Sequence, residues 1–132
     1  MMTDSLIAWL LAQPPIQSLV GTRIYPSLGQ RDDTTPYLVV QQTSGKSPLA
    51  MDGPAGYAVD HYTISCWGAT VAEATTAAGA VAGAIGGYRG AMGSVYVQMA
   101  DVIDQRDALY ASPDVETLRE FEKQIDVEIW WN

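Results

Sequence analysis

Few residues in this chain have side chains suited to chemistry. His61 is the only histidine and Cys66 the only cysteine, with Asp60 next to the histidine. An imidazole beside a thiol makes a nucleophile, and thiol, imidazole and carboxylate are the groups that hold zinc. Both lie in "HYTISCWG", a run that reads as a strand. Neighbouring side chains of a strand point to opposite faces, so Asp60 and His61 diverge, and His61 and Cys66 diverge as well. One His and one Cys are too few for a zinc site. Cys66 is read as a small buried apolar side chain.

Other constellations fail on spacing. Asp101, Asp104 and Asp107 recur every third residue along a probable strand, which scatters them across its faces, and they lack the Gly and terminal Glu of a calcium loop. "GAVAGAIGG" has the glycines of a phosphate cradle, but it falls inside a predicted helix whose amides are already bonded. Any two of the fifteen carboxylates might form an acid–base pair, and nothing singles one out. The chain reads as a protein without catalytic residues, cofactor or metal.

What remains is a surface. The chain ends in "EFEKQIDVEIWWN" (120–132), which alternates with period two, as a strand with one buried face does. Phe121, Ile125, Val127 and Ile129 are expected to pack under helices. Glu120, Glu122, Asp126 and Glu128 then face away, with no positive charge among them. Lys123 falls on the apolar parity and is expected at a subunit edge, its ammonium reaching water. In an isolated domain the acidic face is simply solvated.

At 132 residues the chain is expected to form one domain, over residues 1–132, with a single core. Nearly half its residues are apolar and 17% are charged, which excludes disorder. The net charge of −8 argues against a grip on nucleic acid, which needs basic residues to displace counterions. The apolar run near the start lacks a basic leader and is too short to cross a bilayer, so synthesis and residence in the cytoplasm are expected.

The elements that must position this face follow from periodicity. Residues 4–13 are a predicted helix with Leu6, Ile7, Leu10 and Leu11 on one side, stopped at Pro14-Pro15. "PIQSLVG" adds one or two turns closed by Gly21, and "TRIYP" is a short extended segment. Strands are predicted at 37–45 and 57–67, joined by the long loop 46–56, where Gly53, Pro54 and Gly56 preclude a regular element. A second helix is predicted over 70–88, with Thr70 and Glu73 at capping-box spacing and Val71, Ala74, Ala78, Val81 and Ile85 as its stripe. Gly79 and Gly83 suggest close approach of a neighbouring backbone. Two strands, roughly 94–104 and 117–131, follow "RGAMGS", with "DALYASPD" turning between them. The class is α+β: a mostly antiparallel sheet of about four strands, with two main helices on one face.

"LVGTRIYP", "PYLVVQQTSG", and "YAVDHYTISCWG" leading into "TVAEATTAAGAVAGAI", with the alternating last strand, form a pattern over nearly the whole chain. It resembles the tail-completion family of long-tailed phages, also called tail terminator or tail-to-head joining proteins, with members in prophages and gene transfer agents. Gly86, Gly87 and Gly90 depart from it by loosening the end of the second helix. The resemblance implies a hexameric ring at the head-proximal end of the tail tube, in a virion or virion-like particle. Its partners would be the tube protein on one side and a head-completion or stopper protein on the other, with DNA passing through unbound and no membrane involved. The alternatives are a head-closure connector ring or, from another class, a soluble small-molecule-binding or enzyme-accessory domain.

In such a ring Glu120, Glu122, Asp126 and Glu128 would look into the channel and repel DNA, and replacing Glu122, Asp126 and Glu128 by Lys is expected to leave folding nearly intact but to slow DNA ejection. Lys46, Leu49 and Met51 would belong to an assembly loop that orders on contact with the tube or a neighbouring subunit.

Overall fold

Proline and glycine divide the first quarter of the chain. Helix α1 (Met2–Leu11) buries Met2, Leu6 and Leu10, and Pro14 starts α2 (Pro14–Val20), where the missing proline N–H costs nothing. Gly21 ends α2 at φ 60°, a left-handed conformation that favours glycine. The computed structural model describes residues 2–26, 36–46, 49–50, 53–54, 56–110 and 120–132, with backbone alone at 49–50, 53–54, 107–110 and 120.

Strand β1 (Ile24–Tyr25) lies parallel to β2 (Tyr37–Lys46), and β2 pairs antiparallel with β5 (Ala58–Gly68). Between them β3 (Leu49–Ala50) and β4 (Gly53–Pro54) form a two-stranded ladder, so Gly53 and Pro54 do belong to a regular element. One edge pairing is short enough for proline to join it. After β5 comes α3 (Val71–Ile85), then β6 (Gly90–Met92), β7 (Val95–Tyr110) and β8 (Glu120–Trp131).

The sheet is six-stranded, in the order β1-β2-β5-β8-β7-β6, where about four strands were expected. The two extra strands, β1 and β6, have two and three residues, too few to show a period. Strand β7 also runs to Tyr110, into the predicted turn; the rest of that turn, 111–119, lies outside the described residues.

Helices and sheet share one core. Leu6, Leu10, Ile16 and Val20 meet Ala77, Ala78, Val81 and Ile85 of α3 over Leu38, Val40, Tyr62, Ile64, Cys66, Ile125, Val127 and Ile129. Each fully buried Ile contributes about 1.5–3 kcal/mol. Thr70 caps α3 as its spacing suggests, its Oγ1 accepting from Glu73 N–H at 3.1 Å.

Three expectations for this layer need correction. Val71 is exposed, because it begins α3 before the helix reaches the sheet. A Cβ at Gly79 or Gly83 would meet nothing within 4 Å among the described residues, so none of the described backbone packs closely on either; the close approach is at Gly68, where a Cβ would lie 2.6 Å from Ala74 N. Lys123 is half-buried on β8, an interior strand, aligned with Cys66 and Asp107 on its two sides. No helix among the described residues is long and apolar enough to cross a membrane.

Candidate functional site

The uncovered face of β5, β8 and β7 is built from the residues that alternate with the core. On β8 these are Glu122, Gln124, Asp126, Glu128 and Trp130, aligned on β5 with Trp67, Ser65, Thr63, His61 and Val59. Backbone register puts Glu120 on the same parity, opposite Tyr110; its side chain is outside the described residues. Alternation read from the sequence therefore places the β8 carboxylates together on the side away from the helices.

Strand β7 adds what spacing alone could not show. Its register slips between Val102 and Asp104, so Ile103 is an extra residue. A bulge of one residue changes the parity of everything after it. Asp101 therefore aligns with Glu128 and Asp104 with Asp126, on one face, contrary to the scattering expected of an unbroken strand. Asp107 aligns with Lys123 on the opposite parity.

The same slip carries Arg106 onto the acidic face. Its Nη1 donates to Asp126 Oδ2, and to Asp104 Oδ2 at 3.1 Å. Thr63 Oγ1 donates to Asp126 Oδ1 at 2.7 Å. Partial burial pushes the Asp126 carboxyl up, but the bonds from Arg106 and Thr63 outweigh it and hold the group below its ordinary value. The bond to Asp126 in turn raises the Arg106 guanidinium.

Glu128 is held from two sides. His61 Nε2 lies 2.8 Å from its Oε2, and Trp130 Nε1 donates to its Oε1 at 2.5 Å. The imidazole bond first, and the indole bond second, keep the Glu128 carboxyl below its usual range. Ser44 Oγ sits 2.9 Å from His61 Nδ1. Hydroxyl, imidazole and carboxylate follow one another as in a nucleophile relay. They lie on the open face of a strand ladder, however, and the arrangement fixes Glu128 in its ionised form.

Glu122 differs from its neighbours. It is 4% exposed; Gln124 Nε2 donates to its Oε2 at 3.0 Å, and its Oε1 has no hydrogen-bond partner. Beside it Tyr37 and Trp67 stack with centroids 6.1 Å apart, and Ser65 is buried. The expectation of a solvated residue at 122 is corrected, since Glu122 is buried and the open part of the face is its Asp126–Glu128 half.

Cys66 and His61 fall on opposite faces as their spacing requires, and burial pushes the Cys66 thiol far up, leaving it an inert part of the core. Among the described residues no three His, Cys, Asp or Glu side chains are grouped to hold a metal ion. Of the loop residues, Lys46 is exposed at the end of β2, Leu49 pairs through its backbone with Pro54, and Met51 lies outside the described residues.

The profile of the family described as tail completion protein gp17 matches residues 4–119. The chain belongs to that family. Its structure also resembles a solved chain from the "Virion of native gene transfer agent (GTA) particle", with a TM-score of 0.76. That match covers 98% of this chain and 93% of the other at 18% identity, a likeness of fold. Comparison with curated proteins finds no match.

For a tail completion protein the informative residues are thus the carboxylates together with the cation and imidazole that hold them. Arg106 and His61 were missed as partners because each contact joins two strands. The signal that could have found Arg106 is the apolar pair Val102-Ile103, which breaks the period of β7 just before it.

Proposed function

We propose that this tail completion protein is a structural virion protein that forms a hexameric ring. The ring ends the tail tube and joins it to the head-completion proteins, and DNA passes through its centre. The observation that carries this reading is the family match across residues 4–119, and the fold shared with a chain of a gene transfer agent virion supports it. The ring assembles at the head–tail junction of the particle, with the tube on one side and the stopper on the other. Its part is mechanical: it catalyses nothing.

The open face of β5, β7 and β8 suits the bore. Asp101, Asp104, Asp126 and Glu128 line it against Arg106 and the His61 ring. Duplex DNA carries a charge about every 1.7 Å of its axis, and basic walls hold it by releasing counterions. A wall with surplus carboxylates does not. The repulsion decays over roughly 8 Å at physiological salt, so it keeps the wall from sticking without blocking passage. Arg106 is neutralised in place by Asp104 and Asp126, and the His61 ring is hydrogen-bonded to Glu128.

Removal of the chain from the producing cell tests the role. The expected outcome, seen by electron microscopy, is tails of uncontrolled length that fail to join heads. Tails of native length on filled heads would overturn it.

A further inference from the structure

A second acidic site lies on the other side of the sheet, at its margin. Asp60 is 6% exposed, and Trp131 Nε1 donates to its Oδ2 at 2.8 Å. It lines a cavity of about 330 Å³ together with Met2, Thr3, Gln42, Gly45 and Lys46. Its partner in register is Gly45, where a Cβ would stand 2.8 Å from Asp60 Oδ1 and 2.6 Å from Gln42 Nε2. Glycine at 45 therefore leaves room beside Asp60 Oδ1 and beside the Gln42 amide nitrogen, which donates to Ser44 O at 3.4 Å. A carboxylate buried this far calls for a cation. No ion pair to Asp60 exists among the described residues.

The described cations leave few candidates to fill it. Arg106 is paired with Asp104 and Asp126, Arg23 donates to Pro36 O and Leu19 O, and Lys123 has a partner. Lys46 is in the cavity wall. Arg89 is exposed and makes no hydrogen bond or ion pair among the described residues. It is also held in a defined place. Tyr88 before it accepts from Ala100 N and donates its own N–H to Ile85 O, and the Tyr88 ring contacts Trp9 at 4.6 Å.

The sheet brings these two features to one level at opposite margins. Gly45 aligns with Asp60, Asp60 with Ile129 and Ile129 with Ala100, which bonds to Tyr88. Among the described residues no further strand pairs β2 on the Gly45 side, because β1 covers only Leu38 and Val39. Resting on the ring reading above, we propose that Arg89 of one copy enters the Asp60 cavity of the next. Its guanidinium donates to Asp60 Oδ1, the oxygen that faces Gly45. Socket and plug on opposite margins of one chain make a head-to-tail contact, the kind that closes rings.

The test uses assembled particles carrying Lys46→Cys with Ala91→Cys, which keeps Arg89 and places a thiol at an exposed position two residues from it, oxidised and run without reductant; Cys66, fully buried, does not interfere. A ladder of cross-linked copies up to six is expected, and neither single variant should give one. Amine cross-linking of the wild-type particle counts copies independently of Arg89. If six copies are counted but no disulfide ladder forms, or only dimers form, the Arg89 contact is wrong and the ring stands. If one copy is counted, the ring reading itself fails. Arg89→Ala should weaken each contact on the order of thirty-fold or more, with the thermal midpoint of the monomer unchanged. Unchanged ring assembly in that variant would also refute the contact.

Discussion

The two faces of β8 are built one residue apart and by different rules. On one, Ile125, Val127 and Ile129 are fully buried beneath α3 and its neighbours. On the other, Asp126 and Glu128 keep their charge and are tied to side chains of the adjacent strands. The first face is specified by volume and apolarity, so any partner that excludes water satisfies it. The second depends on which residue stands opposite which. A family that must fold as a subunit and then present a surface gains from this separation, because the open face can change without cost to the core.

Substitutions that exchange the rules should show the contrast most strongly. Ile129→Asp places a carboxylate in the core and should prevent folding, while Ile129→Ala should cost about 2–5 kcal/mol in urea unfolding. Glu122 is the position where the faces resemble each other. Glu122→Lys should cost about 3 kcal/mol, as expected for an unpaired buried charge, whereas Glu122→Gln should be close to neutral or stabilising. Equal stability of the Lys variant would show that this end of the face is open after all.

Acid should distinguish the faces next. Asp126 and Glu128 both titrate below their ordinary values in the folded chain, so the unfolded chain binds more protons there. Their contribution is complete above the usual carboxylate range and is lost as pH falls through that range and below it. Thermal midpoints measured from pH 6 down to pH 2 should fall, and the fall should be shallower in a variant with Asp126→Asn and Glu128→Gln. The smallest effect belongs to Arg106→Ala. Its guanidinium is largely open to water, so its loss should cost only about 0.5 kcal/mol, measurable as a small shift of the urea midpoint that salt reduces.

The apolar face was legible in the sequence and the polar one only in part. Ile125, Val127 and Ile129 announce a strand by period, and Leu6 and Leu10 announce a helix, because burial leaves its mark on every turn. The carboxylate face followed from the same alternation. Its partners did not, since Arg106 reaches Asp126 only through the bulge at Ile103, and His61 reaches Glu128 only through a register set by the whole ladder. Strands β1 and β6 exist because longer strands offer them an edge, which no local period encodes. Glu122 misled for a related reason: its parity was right, but parity does not say how deep a position lies.

The most direct measurement is a reconstruction of the assembled particle at its head–tail junction, at a resolution that shows side chains. Six copies in a closed ring are expected, with Asp126 and Glu128 facing the bore and α3 turned outward. A single copy, a five-fold ring, or a six-fold ring with α3 lining the bore would contradict the proposed channel.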